Sequence, residues 1–381
     1  MAALACVAKD AKQIAGTIEN FAFADLFEEI VGRVSNDALN EDNRAFFKIQ
    51  MVNIIGLSRE KILFPFLNNM LLDQSDAVVN AAIYSISQTG SDEFIRILIQ
   101  YLKKKKYRKA AREALADYGE KIIDYLIPYL NNPGLDQKLS LEVPGILARI
   151  GSQTNVDVIL EHLPQENPFL EFFLIKTLNK LRARFSTLKF NRATVEQLLF
   201  AEIDQFLELA SVLLHLDKSR FKKPEFSLEF HTARKLLKKS IHEDLDFKLT
   251  KIFRFLGLIY PAMDVYNAYL GVTHTNKTRR ANAIEFIDNM LSGILRYQVM
   301  NILERPHLKE AVLRSKYSFN LNLRESEKLF TILLKKNESW LSICAVHFIT
   351  LYRKEKQSLG IQILDYVDNE FVREIVEKNL A

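Results

Sequence analysis

Small and apolar side chains recur along this chain in a fixed rhythm, clearest between Asp76 and Gly151. Three segments share one layout when aligned on a glycine: Ala81-Ala82 through Ile86 before Gly90, Ala110-Ala111 through Leu115 before Gly119, and Glu142 through Leu147 before Gly151. An aliphatic residue lies four positions before each glycine, and in two copies an Ala-Ala pair begins nine before it. A leucine-bearing stretch at helical spacing follows each glycine, over Phe94 to Leu102, Ile122 to Leu130 and Val156 to Leu163. From Gly90 to Gly119 is 29 residues, and from Gly119 to Gly151 is 32. A period of that size predicts stacked helix pairs, so the expected fold is all-α, a right-handed α-solenoid of antiparallel pairs. Gly56 precedes Gly90 by 34 residues, which makes Arg44 to Ile55 and Glu60 to Leu71 a degenerate first copy. Gly56, Gly90, Gly119 and Gly151 are then structural positions that end the first helix of each pair in a left-handed cap. The alanines let neighbouring helices approach closely, and Pro144 with Gly145 predicts a kink in the third copy.

Elsewhere the pattern is looser. Leu4 to Val34 carries apolar positions at helical spacing, so residues 1–43 are expected to form a helical cap. Residues 44–182 hold the regular copies, the last running from Pro168 to Leu181 and ending in Arg182-Ala183-Arg184 where a glycine is expected. Over 183–252 the repeat is irregular: Val195 to Leu216 reads as one or two apolar helices, Lys218 to Phe230 as a basic and aromatic loop. Thr232 to Ser240 and Leu245 to Leu258 read as two further helices. Residues 253–381 regain the repeat pattern, at Arg279 to Ile287 and around Trp340, and close on a helix over Ile361 to Leu380.

Composition supports a helical, non-membrane reading. Only 12 glycines and 9 prolines interrupt 381 residues, and 26 phenylalanines can fill helix seams. The apolar run Leu198 to Leu216 contains Glu202, Asp204 and Glu208, so it predicts a buried helix and not a membrane span. Met1 to Ala8 lacks the basic start of a secretory signal. The two cysteines, Cys6 and Cys344, suggest neither a disulfide framework nor a metal site, and a cytosolic setting is expected. A net charge of +5 permits an anionic partner without requiring one.

The regular copies resemble HEAT repeats, which as a class mostly bind proteins. A narrower resemblance lies at Phe253-Arg254-Phe255-Leu256-Gly257-Leu258-Ile259-Tyr260-Pro261, Asp264 to Tyr269 and Arg280 to Leu291. This block is similar to the soluble HEAT region of bacterial proteins related to ATP/ADP translocases, which often also carry a cyclic-nucleotide-binding module. The resemblance implies a cytosol-facing part of a transporter-like protein, partnered by a membrane domain or a nucleotide-sensing module. It carries no transport or nucleotide-binding residue into this chain.

Charged clusters supply the remaining candidates. Lys103, Lys104, Lys105, Lys106, Arg108 and Lys109 fall within seven residues at the turn between two copies, and Arg279 and Arg280 form a further basic site. Either could meet an acidic protein patch, anionic lipid or nucleic-acid phosphates, against the plainer reading of a solvated turn. Arg220, Lys222, Lys223, Phe221 and Phe226, with Arg234, Lys235, Lys238 and Lys239, read as an exposed helix face more readily than as a nucleic-acid groove. His242, Glu243, Asp244 and Asp246 read as a helix start whose acids meet the dipole, not as a metal site. Tyr260-Pro261 reads as a helix stop and restart, and Asp288-Asn289 as local backbone partners. There is no phosphate-binding loop, nucleophile elbow or histidine dyad, so no cofactor and no catalytic residue is expected. The expected function is a non-catalytic interaction module, with a nucleic-acid-binding solenoid using the basic turns as the alternative.

Overall fold

The computed structural model describes residues 41–132, 134–165, 167–217, 221, 225–314, 332–334, 339–356 and 373–374. Among these the structure is helical, with no strand. The expected cap over 1–43, apart from its last three residues, and nearly all of the closing helix over 361–380 lie outside them. The chain divides into two compact units, Met1–Asn155 and Val156–Ala381.

The first unit contains α1 (Glu41–Ser58), α2 (Phe64–Met70), α3 (Asp76–Thr89), α4 (Ile95–Tyr101), α5 (Arg108–Asp117), α6 (Ile123–Asn131), the single turn α7 (Gln137–Ser140) and α8 (Val143–Ile150). A further helix, α9 (Gln153–Glu161), runs from this unit into the next. Helix α1 packs on α3, α3 on α5 and α5 on α8. The first helices of successive copies therefore form a row. Their aliphatic markers Ile86, Leu115 and Leu147 are fully buried, and Ala82 and Ala111 are buried beside them.

Side-chain hydrogen bonds repeat the same period. Ser85 Oγ donates to Asn53 32 residues away, Ser87 Oγ to Asp117 30 away, and the Tyr107 hydroxyl to Asp76 31 away. The buried Tyr101 hydroxyl donates to the Leu71 carbonyl, 30 residues back. Tyr118 donates to the Ser91 carbonyl at 2.9 Å, and burial pushes its phenol up to about 12. These bonds thus join residues 27 to 32 positions apart within the first unit.

Three of the four marker glycines behave as expected. Gly90, Gly119 and Gly151 have φ of 64°, 63° and 71°, the left-handed region that a Cβ disfavours. Gly56 differs. It lies inside α1, and the left-handed residue is Arg59 at φ 60°, three positions later. A Cβ on Gly56 would stand 2.7 Å from the Ser85 carbonyl oxygen, so this glycine permits close contact of α1 with α3 and caps nothing. The third copy also departs from expectation. Instead of a kinked helix, the segment splits into α7 and α8, with Pro144 in the first turn of α8, where its missing N–H costs no hydrogen bond. Gly145 makes room for Arg112, whose Cδ would lie 3.2 Å from an added Cβ.

The second unit holds α10 (Pro168–Arg184), α11 (Arg192–Leu216), α12 (Leu228–Ile259), α13 (Ala262–Val272), α14 (Lys277–Met290), α15 (Gly293–Leu303), α16 (Arg305–Arg314) and α17 (Ser339–Lys356). Short polar side chains start several of them. Asn167, Asn191, Ser227 and Asn276 accept backbone N–H bonds at the first turns of α10, α11, α12 and α14. Helix α12 is the centre of the unit, packing against α10, α11, α13 and α17. Its 32 residues run unbroken through the two helices expected over 232–258 and through the division expected between 252 and 253. No glycine or proline interrupts it before Gly257, and Pro261 stops it. The segment read as a basic and aromatic loop contributes core. Phe221 and Phe226 are buried, with rings 5.3 and 6.5 Å from Tyr352. Arg220, Lys222 and Lys223 lie outside the described residues. Helix α14 carries the repeat-like sequence Arg279 to Ile287, yet only Ile287 on it is buried and Phe286 is exposed.

Candidate docking surface

Half of the basic turn is paired from within. Lys103 Nζ lies 2.6 Å from Asp136, and Lys106 pairs with Asp76, which also accepts from Tyr107 at 2.8 Å. Arg108 meets Glu142 at 3.2 Å and donates to the Leu102 carbonyl at 2.9 Å, and Arg112 pairs with the same glutamate. These acids come from the copies before and after the turn. Hydrogen bonds from Lys106 and Tyr107 hold Asp76 below the usual carboxylate range, and the bond from Lys103 does the same to Asp136. Lys104 lies 3.8 Å above the Tyr101 ring. Lys105 and Lys109 are exposed. Three of the six cations thus pair with acids of neighbouring copies, while Lys104, Lys105 and Lys109 have no ionic partner among the described residues.

The other sequence candidates resolve similarly. Arg279 is exposed and touches His274 at 3.3 Å, whereas Arg280 is half-buried and donates to the Leu303 carbonyl, at the end of α15. Arg234 and Lys238 both meet Asp217. His242, Glu243, Asp244 and Asp246 lie mid-helix in α12, so the expected helix start is not there. Among the described residues no group of three His, Cys, Asp or Glu side chains could hold a metal. Tyr260 and Pro261 do form the stop and restart between α12 and α13. Asp288 bonds the Arg296 guanidinium through both oxygens, at 2.6 and 2.7 Å, and that guanidinium holds its carboxyl low.

A groove of about 530 Å³ in the first unit has the opposite character. Helix α4 contributes Arg96, Ile99 and Gln100. Helix α6 contributes Asp124, Tyr125, Pro128 and Tyr129, and Leu135 borders it. Ile99 is buried, the two tyrosines are half-buried, and Arg96, Gln100, Asp124, Pro128 and Leu135 are exposed. The site is thus an open trough. Among the described residues, the side chains of Arg96, Gln100, Asp124, Tyr125 and Tyr129 have no hydrogen bond or ion pair with the rest of the protein. Arg96 and Asp124 share the groove without pairing with each other. The sequence reading passed over these residues. The repeat register carries the signal, because Arg96 and Tyr125 both lie six positions after a marker glycine, and Gln100 and Tyr129 both lie ten after.

The second unit conceals a charged cluster that the sequence reading also missed. Lys251 Nζ lies 2.7 Å from Glu171 and 2.8 Å from Glu202, while Lys248 lies 3.5 Å from Glu202 and bonds Gln205 at 3.0 Å. All four charged side chains are nine-tenths buried or more by residue exposure. They tie α10, α11 and α12 together. Burial pulls Lys251 down, but the Glu202 and Glu171 carboxylates outweigh it and hold the ammonium above its ordinary value. Burial pushes Glu171 up against the pull of Lys251. One turn before Lys248, the carboxylate of Asp244 is buried with neither oxygen hydrogen-bonded. The cluster is thus enclosed where α10, α11 and α12 meet. No helix among the described residues is long and apolar enough to cross a membrane. No protein-family model matches the chain, and no curated protein is significantly similar to it.

Proposed function

We propose that this chain is a non-catalytic, HEAT-type interaction module that docks a partner protein in the groove between α4 and α6. The observation that carries the reading is the set of five polar side chains lining that trough without partners inside the protein. Three charged side chains of the same unit, Lys103, Lys106 and Arg108, are by contrast tied to neighbouring copies. Free polar groups beside a buried apolar floor can gain hydrogen bonds on association without first breaking internal ones. The repeat architecture proposed is a right-handed stack of antiparallel helix pairs. Its support is the glycine rhythm, the row α1, α3, α5 and α8, and the hydrogen bonds about 30 residues apart. Placement beside a translocase-like membrane domain, on the cytosolic side, rests on the resemblance of Phe253 to Leu291 alone. The nucleic-acid alternative would rest on Lys104, Lys105 and Lys109 and is the weaker reading, because the other cations of that turn already face carboxylates.

Site-specific photo-crosslinking tests the docking surface. A benzophenone amino acid placed at Gln100 is expected to yield discrete crosslinked species in extract from the producing cell, and the same group at exposed Lys235 is not. Equal crosslinking at both positions, or none at Gln100, would remove the proposal.

A further inference from the structure

Resting on the groove as a docking surface, we infer that its occupant is a short extended segment of a partner protein that carries one basic and one acidic side chain beside a proline or other apolar residue. The shape favours a chain over a small molecule. Sites for small ligands enclose most of the ligand surface, whereas here Arg96, Gln100, Asp124 and Pro128 stand exposed along an open trough. Arg96 to Gln100 spans one helical turn, roughly 6 Å, and Asp124 to Tyr129 roughly 7.5 Å. An extended chain advances about 3.3 Å per residue, so the groove holds about three residues.

Charge identifies the chemistry. The Arg96 guanidinium is a planar fork suited to a carboxylate, and Asp124 is suited to an ammonium or guanidinium. Neither has an ionic partner among the described residues. A polyanion such as nucleic acid or an acidic lipid surface would satisfy Arg96 but bring like charge against Asp124. A peptide bearing both signs satisfies both. Tyr125 and Tyr129, one turn apart on α6, present half-buried rings on one face with Pro128 beside them. Aromatic rings along a groove receive prolyl and other compact apolar side chains in extended peptides. The Gln100 amide offers a donor and an acceptor, the complement of a peptide unit running past it.

Selection from a displayed library of random linear heptapeptides on the folded full chain tests this. Wild-type protein is expected to enrich peptides with an acidic and a basic residue flanking an apolar one. Asp124→Asn should lower affinity for a synthetic copy of the enriched peptide about fivefold and abolish the basic preference, and Arg96→Gln should do the same for the acidic preference. All the replaced side chains are exposed or half-buried, and unchanged circular-dichroism melts would verify folding of each variant. Peptides that depend on Tyr125 and Tyr129 but show no charge preference would overturn this inference and leave the docking reading standing. Retention no greater than that of a Tyr125→Ala/Tyr129→Ala double variant would overturn both.

Discussion

Replacing Lys251 by methionine removes the one cation that serves two buried carboxylates, at 2.7 and 2.8 Å. At an effective dielectric of about 20, each contact carries roughly 6 kcal/mol of attraction. The gross gain is offset by desolvation of several kcal/mol for each buried ion, so the intact cluster contributes little net stability. The single variant does not share that balance. Methionine fills a similar volume, but Glu171 loses its cation and Glu202 keeps only Lys248, at 3.5 Å. Leaving a buried charge unpaired costs about 3–5 kcal/mol. For a unit of this size that lowers the melting temperature by about 6–20 °C. Differential scanning calorimetry at neutral pH, with amide exchange along α12 to identify the transition that moves, measures it. The triple variant Lys251→Met/Glu171→Leu/Glu202→Leu should regain most of the loss, because it removes the stranded charges as well. A Lys251→Met melt within 1–2 °C of wild type would refute the reasoning, and so would a triple variant no more stable than the single one.

The same cluster sets an alkaline limit. Lys251 is held above the ordinary lysine value of 10.5, so its contribution is fully present below that pH and is lost as pH rises through the folded-state value. Wild-type stability should therefore fall faster than that of Lys251→Met as pH rises from about 10.5 toward the raised folded-state value, and parallel pH–melting curves would contradict this. Asp244→Leu should stabilise the protein by about 1–3 kcal/mol, since it removes a buried carboxylate without hydrogen bonds, and a lowered melting temperature would count against the assignment. Gly56→Ala should cost about 1–3 kcal/mol, because the new Cβ meets backbone atoms of Ser85 at 2.7 and 2.9 Å. Gly90→Ala meets nothing within 4 Å and should cost about 1 kcal/mol of left-handed strain, so urea midpoints in the reverse order would refute the distinction. Neutralising Lys104, Lys105 and Lys109 should leave retention on duplex DNA unchanged, and a steep salt-sensitive loss would revive the nucleic-acid reading.

Helical structure, and the left-handed glycines and buried aliphatics of the first unit, were legible in the sequence. Backbone needs at Gly90, Gly119 and Gly151 and the burial of Ile86, Leu115 and Leu147 are local demands, which spacing alone can express. Gly56 was misread because a glycine suits either a left-handed cap or a close helix contact, and only the position of Ser85, 29 residues on, distinguishes them. Ionic partners were equally hidden. Lys103 and Lys106 look like solvated charges until Asp136 and Asp76 are brought beside them, and Glu171, Lys248 and Lys251 look like ordinary exposed residues until α10, α11 and α12 enclose them. A side chain's spacing along its own helix specifies which face it occupies, not what packs there. Which charges pair across helices, and which five polar side chains at α4 and α6 have no partner among the described residues, was decided only when the helices met.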